Sequence, residues 1–120
     1  MGCGIDLERI ARFDRWADPS AGDRGFLFSE RELGHARSLA EPRAGLCAAF
    51  CCKEALYKAL GSMFEYAECE LLLEPRAAEQ QLLLAPRLIQ EQGIGACTAV
   101  VQWPGDEQCL AVVYVFGEAA

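Results

Sequence analysis

The stretch from Leu46 to Gly61 has the composition of an apolar helix. Apart from three cysteines and a tyrosine, its only ionisable groups are Lys53, Glu54 and Lys58. Burying a charged side chain is costly unless the charge is paired or binds a metal. A chain that places three charges in core-like sequence must provide partners for them, so this helix is the first place to look for function.

Length and composition limit the classes of protein that remain. A chain of 120 residues can bury a sizeable core, and we expect one domain over residues 1–120. The net charge of −7 disfavours nucleic acid as a partner, because binding to phosphate backbones relies on clustered Lys and Arg. No apolar run approaches the roughly 20 residues that cross a bilayer, and the N-terminus lacks a secretory signal. We therefore expect no membrane association and a cytoplasmic location.

Seven cysteines raise the question of a metal site or of disulfides. Their spacing disfavours both, because no Cys-x-x-Cys pair is present and the single histidine, His35, falls in a different predicted helix. Cys47 and Cys51 share a helical face, which could in principle hold a metal. We interpret them instead as small core residues of a protein in a reducing compartment.

The pattern of apolar and turn-forming residues predicts an α+β fold. The predicted elements, in chain order, are a strand over about 3–5, a helix over 7–16, a loop over 17–24, helices over 29–40 and 43–61, strands over 69–73 and 81–84, a helix over 86–92, and strands over 97–103 and 109–116. Leu7, Ile10 and Phe13 suggest the first helix by their spacing, and Ser29 with Glu32 forms a capping box for the second. The last strand is apolar on both faces and should lie centrally or at a subunit interface.

Two short motifs bear on chemistry. In Gly4-Ile5-Asp6-Leu7-Glu8, two carboxylates lie two residues apart where a strand ends, close enough to converge on one cation if the chain is extended there. In Lys53-Glu54-Ala55-Leu56-Tyr57-Lys58, the side chains of Glu54 and Lys58 share one helical face. Mg²⁺ prefers oxygen ligands and keeps waters and phosphate oxygens in its coordination shell. A metal site beside lysines is typical of phosphate-transfer chemistry.

Each motif also has a structural interpretation. Glu54 and Lys58, at i and i+4, form the commonest stabilising pair of a helix surface. Asp6 and Glu8 are acids of the kind favoured in the first turn of a helix. From the residues alone, a small acidic α+β interaction domain in which these pairs are only salt bridges stays open.

Both motifs belong to a longer series that resembles the 4′-phosphopantetheinyl transferases, and the chain length favours the short holo-acyl-carrier-protein synthase type. The matching positions are, in order, Gly4-Ile5-Asp6-Leu7, Ile10, Arg12-Phe13, Phe28-Ser29, Glu32, Phe50, Lys53-Glu54-Ala55 and Lys58-Ala59-Leu60-Gly61. The resemblance implies the α+β fold of that family, with an antiparallel sheet packed against one long buried helix and shorter helices.

The resemblance also implies a reaction, in which coenzyme A donates 4′-phosphopantetheine to a serine of an apo acyl or peptidyl carrier protein and leaves adenosine 3′,5′-bisphosphate. Asp6 and Glu54 would bind Mg²⁺, with Glu8 as a third acid. Lys58 would stabilise charge on the pyrophosphate, and Glu54 or a metal-bound water would take the serine proton.

Further contacts follow from the same resemblance. Lys53 and Gly61 would lie against coenzyme A, with Lys53 the weaker phosphate contact. Arg12 falls where family members dock the acidic recognition helix of the carrier, and Arg9 and Arg15 make the predicted first helix locally basic, which can steer an acidic partner. An ordinary solvated face is the alternative interpretation of these arginines. The relatives imply a homotrimer with coenzyme A at the subunit interfaces.

Three segments depart from the family pattern. Gly61-Ser62-Met63 stands where Gly-Thr-Gly is usual, the segment 74–80 replaces a Gly-Lys/Arg-Pro hairpin with Arg76 as its only cation, and Val101-Gln102-Trp103 stands where a Ser/His element is expected. These departures predict weak binding of coenzyme A. They leave open a second function, that of a divergent, catalytically weak member that binds carrier protein without modifying it.

Overall fold

The computed structural model describes residues 2–18 and 27–118. Its antiparallel sheet has the strand order β1-β5-β4-β3-β2, and the strands are β1 (Gly2–Arg9), β2 (Cys69–Leu71), β3 (Glu79–Leu84), β4 (Ile94–Gly105) and β5 (Gln108–Gly117). The helices are α1 (Asp14–Ala17), α2 (Glu30–Arg37), α3 (Pro42–Leu60) and α4 (Pro86–Gln92), with 3-10 turns at Ile10–Phe13 and Tyr66–Glu68. This is the α+β architecture that the sequence predicts.

Helix α3 supplies much of the core and packs across β1 and β5. It ends as predicted at Gly61, whose φ of 70° is the left-handed conformation that glycine tolerates best. Gly4 lies so close to α3 that an added Cβ would overlap the carbonyl oxygen of Ala55. The absence of a side chain at Gly4 therefore lets β1 approach the middle of α3. In the described part of the chain, no helix has the length and apolar composition needed to cross a membrane.

The beginning of the chain differs from the prediction. The first strand runs to Arg9, and a 3-10 turn followed by the four-residue α1 replaces the helix predicted over 7–16. Leu7 is half-exposed in the strand, whereas Ile10 and Phe13 are buried beyond its end. The near-helical spacing of these residues was misleading, because pairing with β5 along the whole length of β1 outweighs a weak local helix preference.

The later elements agree with the prediction in type and order, with shifted ends. Helix α2 ends at Arg37, and its capping box between Ser29 and Glu32 is present. Strand β5 lies between β1 and β4, which agrees with the first of the two positions predicted for it, inside the sheet. Of the loop predicted over 17–24, residues 19–24 lie outside the described residues.

The cysteines pack as small core residues. All seven are free thiols, and five of them are buried, namely Cys47, Cys51, Cys52, Cys69 and Cys109. Burial raises the pKa of Cys69 to about 12 and that of Cys52 well above its usual value. Both thiols therefore stay protonated near neutral pH, which makes them poor nucleophiles.

Candidate active site

Strand β1 carries two acids on the side that faces α3. The side chains of Asp6 and Glu8 alternate with the exposed Ile5 and Leu7, and they are only 11% and 12% exposed. Burial raises the pKa of Glu8 above its usual value, and the neighbouring carboxylate of Asp6 adds to the shift. The two carboxylates therefore lie together beside the strand–helix contact, as expected for acids two residues apart in an extended chain.

Lys58 of α3 contacts Asp6 where the helix packs against β1. Its Nζ donates hydrogen bonds to Asp6 Oδ1 at 3.0 Å and to the Ile5 carbonyl at 3.1 Å. The bond with Asp6 raises the pKa of Lys58, and the negative charges of Asp6 and Glu54 add to the effect. An acid of β1 thus pairs with an ammonium group of α3, a contact between distant parts of the chain that the sequence alone could not establish.

A divalent cation fits an unsatisfied atom of this group. Among the residues that the structure describes, Asp6 Oδ2 is buried without a hydrogen-bond partner, and a buried carboxylate oxygen in that state is costly. The half-exposed Lys58 ammonium already occupies the neighbouring oxygen, which shows that the site accepts positive charge. Mg²⁺ needs only one or two protein carboxylates when waters and phosphate oxygens complete its shell.

Three protein ligands are not brought together. Among residues 2–18 and 27–118, no three Asp, Glu, His or Cys side chains are placed to hold a metal. Glu8 instead accepts a hydrogen bond from Arg12 Nη1 at 2.7 Å. The described residues therefore do not bring Asp6, Glu8 and Glu54 together as one three-acid site, and the choice of metal ligands among these acids stays a prediction.

Glu54 has a partner that the sequence analysis did not identify. The Tyr66 hydroxyl donates a hydrogen bond to Glu54 Oε2 at 2.5 Å. Burial and this hydrogen bond raise the pKa of Tyr66, so its hydroxyl keeps the proton that it donates. Tyr66 lies in the 3-10 turn after α3, and its spacing from Glu54 gives no helical or strand period that would have indicated the contact.

Lys53 does not face the site. Its side chain is 1% exposed, and Nζ donates to Glu32 Oε1 at 2.8 Å, to the Tyr66 carbonyl at 2.6 Å and to the Cys69 carbonyl. An ammonium group has three protons to donate, and these acceptors use all of them. The prediction that Lys53 contacts a phosphate of coenzyme A is therefore wrong, because no donor remains for a ligand.

The other predicted contacts lie at the surface. Arg9 was predicted to lie in a helix, but it is the last residue of β1 and is exposed. Arg12, in the following 3-10 turn, bonds Glu8 and lies 4.8 Å from the centre of the Phe50 ring. Gly61 is exposed at the end of α3, with open space where a side chain would begin. A role for Gly61 in contacting coenzyme A stays a prediction.

Solved structures place this architecture among known folds. A Helicobacter pylori holo-acyl-carrier-protein synthase, crystallised in complex with coenzyme A, has a TM-score of 0.76 and 20% identity over 95% of this chain and 99% of its own. The Neisseria meningitidis synthase has a TM-score of 0.78 and 20% identity over 96% of this chain and 97% of its own. The Plasmodium yoelii synthase has a TM-score of 0.75 and 17% identity over 98% of this chain and 95% of its own. The fold is that of the holo-acyl-carrier-protein synthases.

The sequence itself identifies the family. The family model of the 4′-phosphopantetheinyl transferase superfamily matches residues 2–113. The chain therefore belongs to this superfamily of transferases, and the resemblance seen in its two motifs is confirmed. A search of curated proteins finds no match.

Proposed function

We propose that this protein transfers 4′-phosphopantetheine from coenzyme A to a serine hydroxyl of an apo acyl or peptidyl carrier protein. The observation that carries the proposal is the ion pair between Asp6 on β1 and Lys58 on α3, one helical turn after Glu54. The serine oxygen would attack the phosphorus that bears the pantetheine arm, and the bond from that phosphorus to the bridging oxygen would break. Adenosine 3′,5′-bisphosphate leaves with that oxygen, and the serine proton passes to a base.

The side chains divide this work according to position. Asp6 and Glu54 would hold Mg²⁺, which when bound neutralises the pyrophosphate and makes the phosphorus more electrophilic. Lys58 is half-exposed and pairs with Asp6, so its ammonium could stabilise the charge that grows on the leaving phosphate. The proton of the serine hydroxyl would pass to Glu54, which is partly accessible, or to a water molecule in the site.

Mass spectrometry tests the reaction directly. Incubating an apo carrier protein with this protein, coenzyme A and Mg²⁺ should add one phosphopantetheine group to the carrier, and chelating the metal should prevent the addition. Comparing carriers from fatty-acid, polyketide and peptide synthesis in this assay identifies the one that is modified. Carrier binding without any gain of mass would instead favour the catalytically weak binding module.

Carrier docking is proposed for the exposed arginines near the site. Arg9 and Arg12 lie within four residues of Glu8, so an acidic carrier helix bound there would bring its serine toward the proposed metal site. Exposed charges act mainly by steering and are screened by salt. In the same assay, raising the ionic strength should therefore raise the KM for the carrier more than it changes kcat, and an unchanged KM would argue against this docking surface.

A homotrimer is proposed from the sheet face that points away from α3. Ile5 and Leu7 of β1 and Tyr114 and Phe116 of β5 are between 40% and 55% exposed on this outer face. Contiguous exposed apolar side chains of this kind mark sites of protein association. Because Asp6 alternates with Ile5 and Leu7 along β1, association through the outer face would place the site beside a subunit interface.

Replacing Leu7 with glutamate should convert the proposed trimer to a monomer and lower transfer activity more than about tenfold. Burying an unpaired carboxylate in an apolar interface costs several kcal/mol, whereas the monomer leaves position 7 in water. Sedimentation velocity measures the mass, and circular dichroism checks that the fold is retained. Gln90→Glu on the exposed part of α4 adds the same charge elsewhere and should change neither property. A wild-type protein that sediments as a monomer would refute the trimer.

A further inference from the structure

Tyr66 is fixed to its surroundings at three points. Its ring lies 5.3 Å from the Phe64 ring in a stacked arrangement and 6.0 Å from the Phe50 ring. Its carbonyl accepts a hydrogen bond from the buried Lys53 at 2.6 Å. Its hydroxyl then reaches Glu54, whose side chain is only partly buried. The tyrosine is thus a rigid connection between the core and an acid of the proposed site.

Lys53, which bonds the Tyr66 carbonyl, belongs to a buried ion pair with Glu32. Lys53 and Glu32 are fully enclosed, and Glu32 also accepts hydrogen bonds from the backbone N–H groups of Ser29 and Leu71. Ions that are buried and saturated with partners have little freedom to move. The Lys53 ammonium therefore fixes the backbone at Tyr66, and the ring carries that position to the hydroxyl.

We propose that Tyr66 is a positioning residue that holds the Glu54 carboxylate in the orientation that binds the metal, and that the Lys53–Glu32 pair holds Tyr66. The hydroxyl occupies Oε2, and no side chain of the described residues donates a hydrogen bond to Oε1, which remains available to a cation. Partners that orient a metal-binding side chain typically change metal affinity by 10- to 100-fold when they are removed. The inference rests on the proposed Mg²⁺ site and deepens it, since it explains how a flexible glutamate is fixed before metal and substrate bind.

The test compares two tyrosine-to-phenylalanine variants. Tyr66→Phe removes only the hydroxyl that contacts Glu54, whereas Tyr57→Phe removes a hydroxyl from a neighbouring half-buried tyrosine on α3. Magnesium chloride alone is titrated into each protein by calorimetry, and thermal denaturation checks the fold. We expect Tyr66→Phe to weaken the Kd for Mg²⁺ about tenfold, with Tyr57→Phe within about twofold of wild type.

Kinetics give a second readout that a merely structural role would not produce. In the transfer assay, Tyr66→Phe should raise the Mg²⁺ concentration for half-maximal rate about tenfold and leave the rate at saturating Mg²⁺ within about threefold of wild type. Equal Mg²⁺ affinities for the two variants would overturn the proposal, as would a wild-type protein that binds no Mg²⁺. Tyr66-dependent Mg²⁺ binding in a protein that transfers nothing would support positioning and refute the proposed reaction.

Discussion

Replacing Asp6 with alanine is expected to lower kcat/KM for carrier modification by at least about a hundredfold and to abolish Mg²⁺-dependent binding of coenzyme A. Asp6 supplies a buried oxygen that has no hydrogen-bond partner in the described part of the chain, so its loss would remove a proposed ligand of the cation. A metal ion that stabilises phosphate charge contributes several kcal/mol, and about 1.4 kcal/mol corresponds to a tenfold change in rate. Calorimetry of coenzyme A with and without Mg²⁺, together with the mass assay, measures both effects.

Asp14→Ala is the matched control for this experiment. Asp14 is an exposed aspartate of α1 whose carboxylate pairs with Arg43 at 2.8 Å, away from β1. Surface ion pairs of this kind contribute at most about 1 kcal/mol, so the control should retain full activity. If Asp6→Ala bound coenzyme A with unchanged Mg²⁺ dependence, the assignment of Asp6 as a metal ligand would be wrong.

Lys53→Met should destabilise the protein by about 3–5 kcal/mol, because it leaves the Glu32 carboxylate buried without its cation. The variant also leaves the Tyr66 and Cys69 carbonyls without the donor that they share. Chemical denaturation measures the free energy of unfolding. Lys58→Met, on the same helix but half-exposed, is the control and should cost less than about 1 kcal/mol.

The decrease in the free energy of unfolding caused by Lys53→Met should become larger as the pH rises. Burial raises the pKa of Glu32 above its ordinary value of 4.5, and the charge of Lys53 opposes that shift. Without the lysine, Glu32 should hold its proton to a higher pH. A carboxyl group whose pKa is higher in the folded state than in the unfolded state makes its full contribution to stability at a pH below its unfolded-state pKa. That contribution is lost as the pH rises through its folded-state pKa. The deficit of the variant should therefore be smallest below pH 4.5 and largest at neutral pH, and an equal deficit at both would contradict the buried ion pair.

Local chemistry was enough to predict several features of the fold. The capping box of Ser29 and Glu32 and the glycine that ends α3 depend on residues within one or two turns, and both appear as predicted. The prediction of the first helix was wrong for a physical reason. Leu7 and its neighbours pair with a strand about a hundred residues later in the chain. A local pattern carries no information about such a partner.

The candidate site shows the same division. The sequence singled out Asp6, Glu8, Glu54 and Lys58 through residue type, spacing and the family resemblance, and the structure pairs Lys58 with Asp6. It could not show that Lys53, one residue before Glu54, points into the core, because successive helical positions are rotated by about 100° and the partner Glu32 lies on another helix. Nor could it reveal Tyr66, whose contact with Glu54 depends on how the chain turns after α3.

By itself, then, the sequence determined the α+β class, the long apolar helix and the acids and lysines capable of phosphate chemistry, because composition and period are properties of the chain. Only the tertiary structure decided which charge is buried with a partner and which faces solvent beside an unsatisfied carboxylate. Burial and pairing depend on residues far apart in sequence, and they separate the structural Lys53 from the proposed catalytic Lys58.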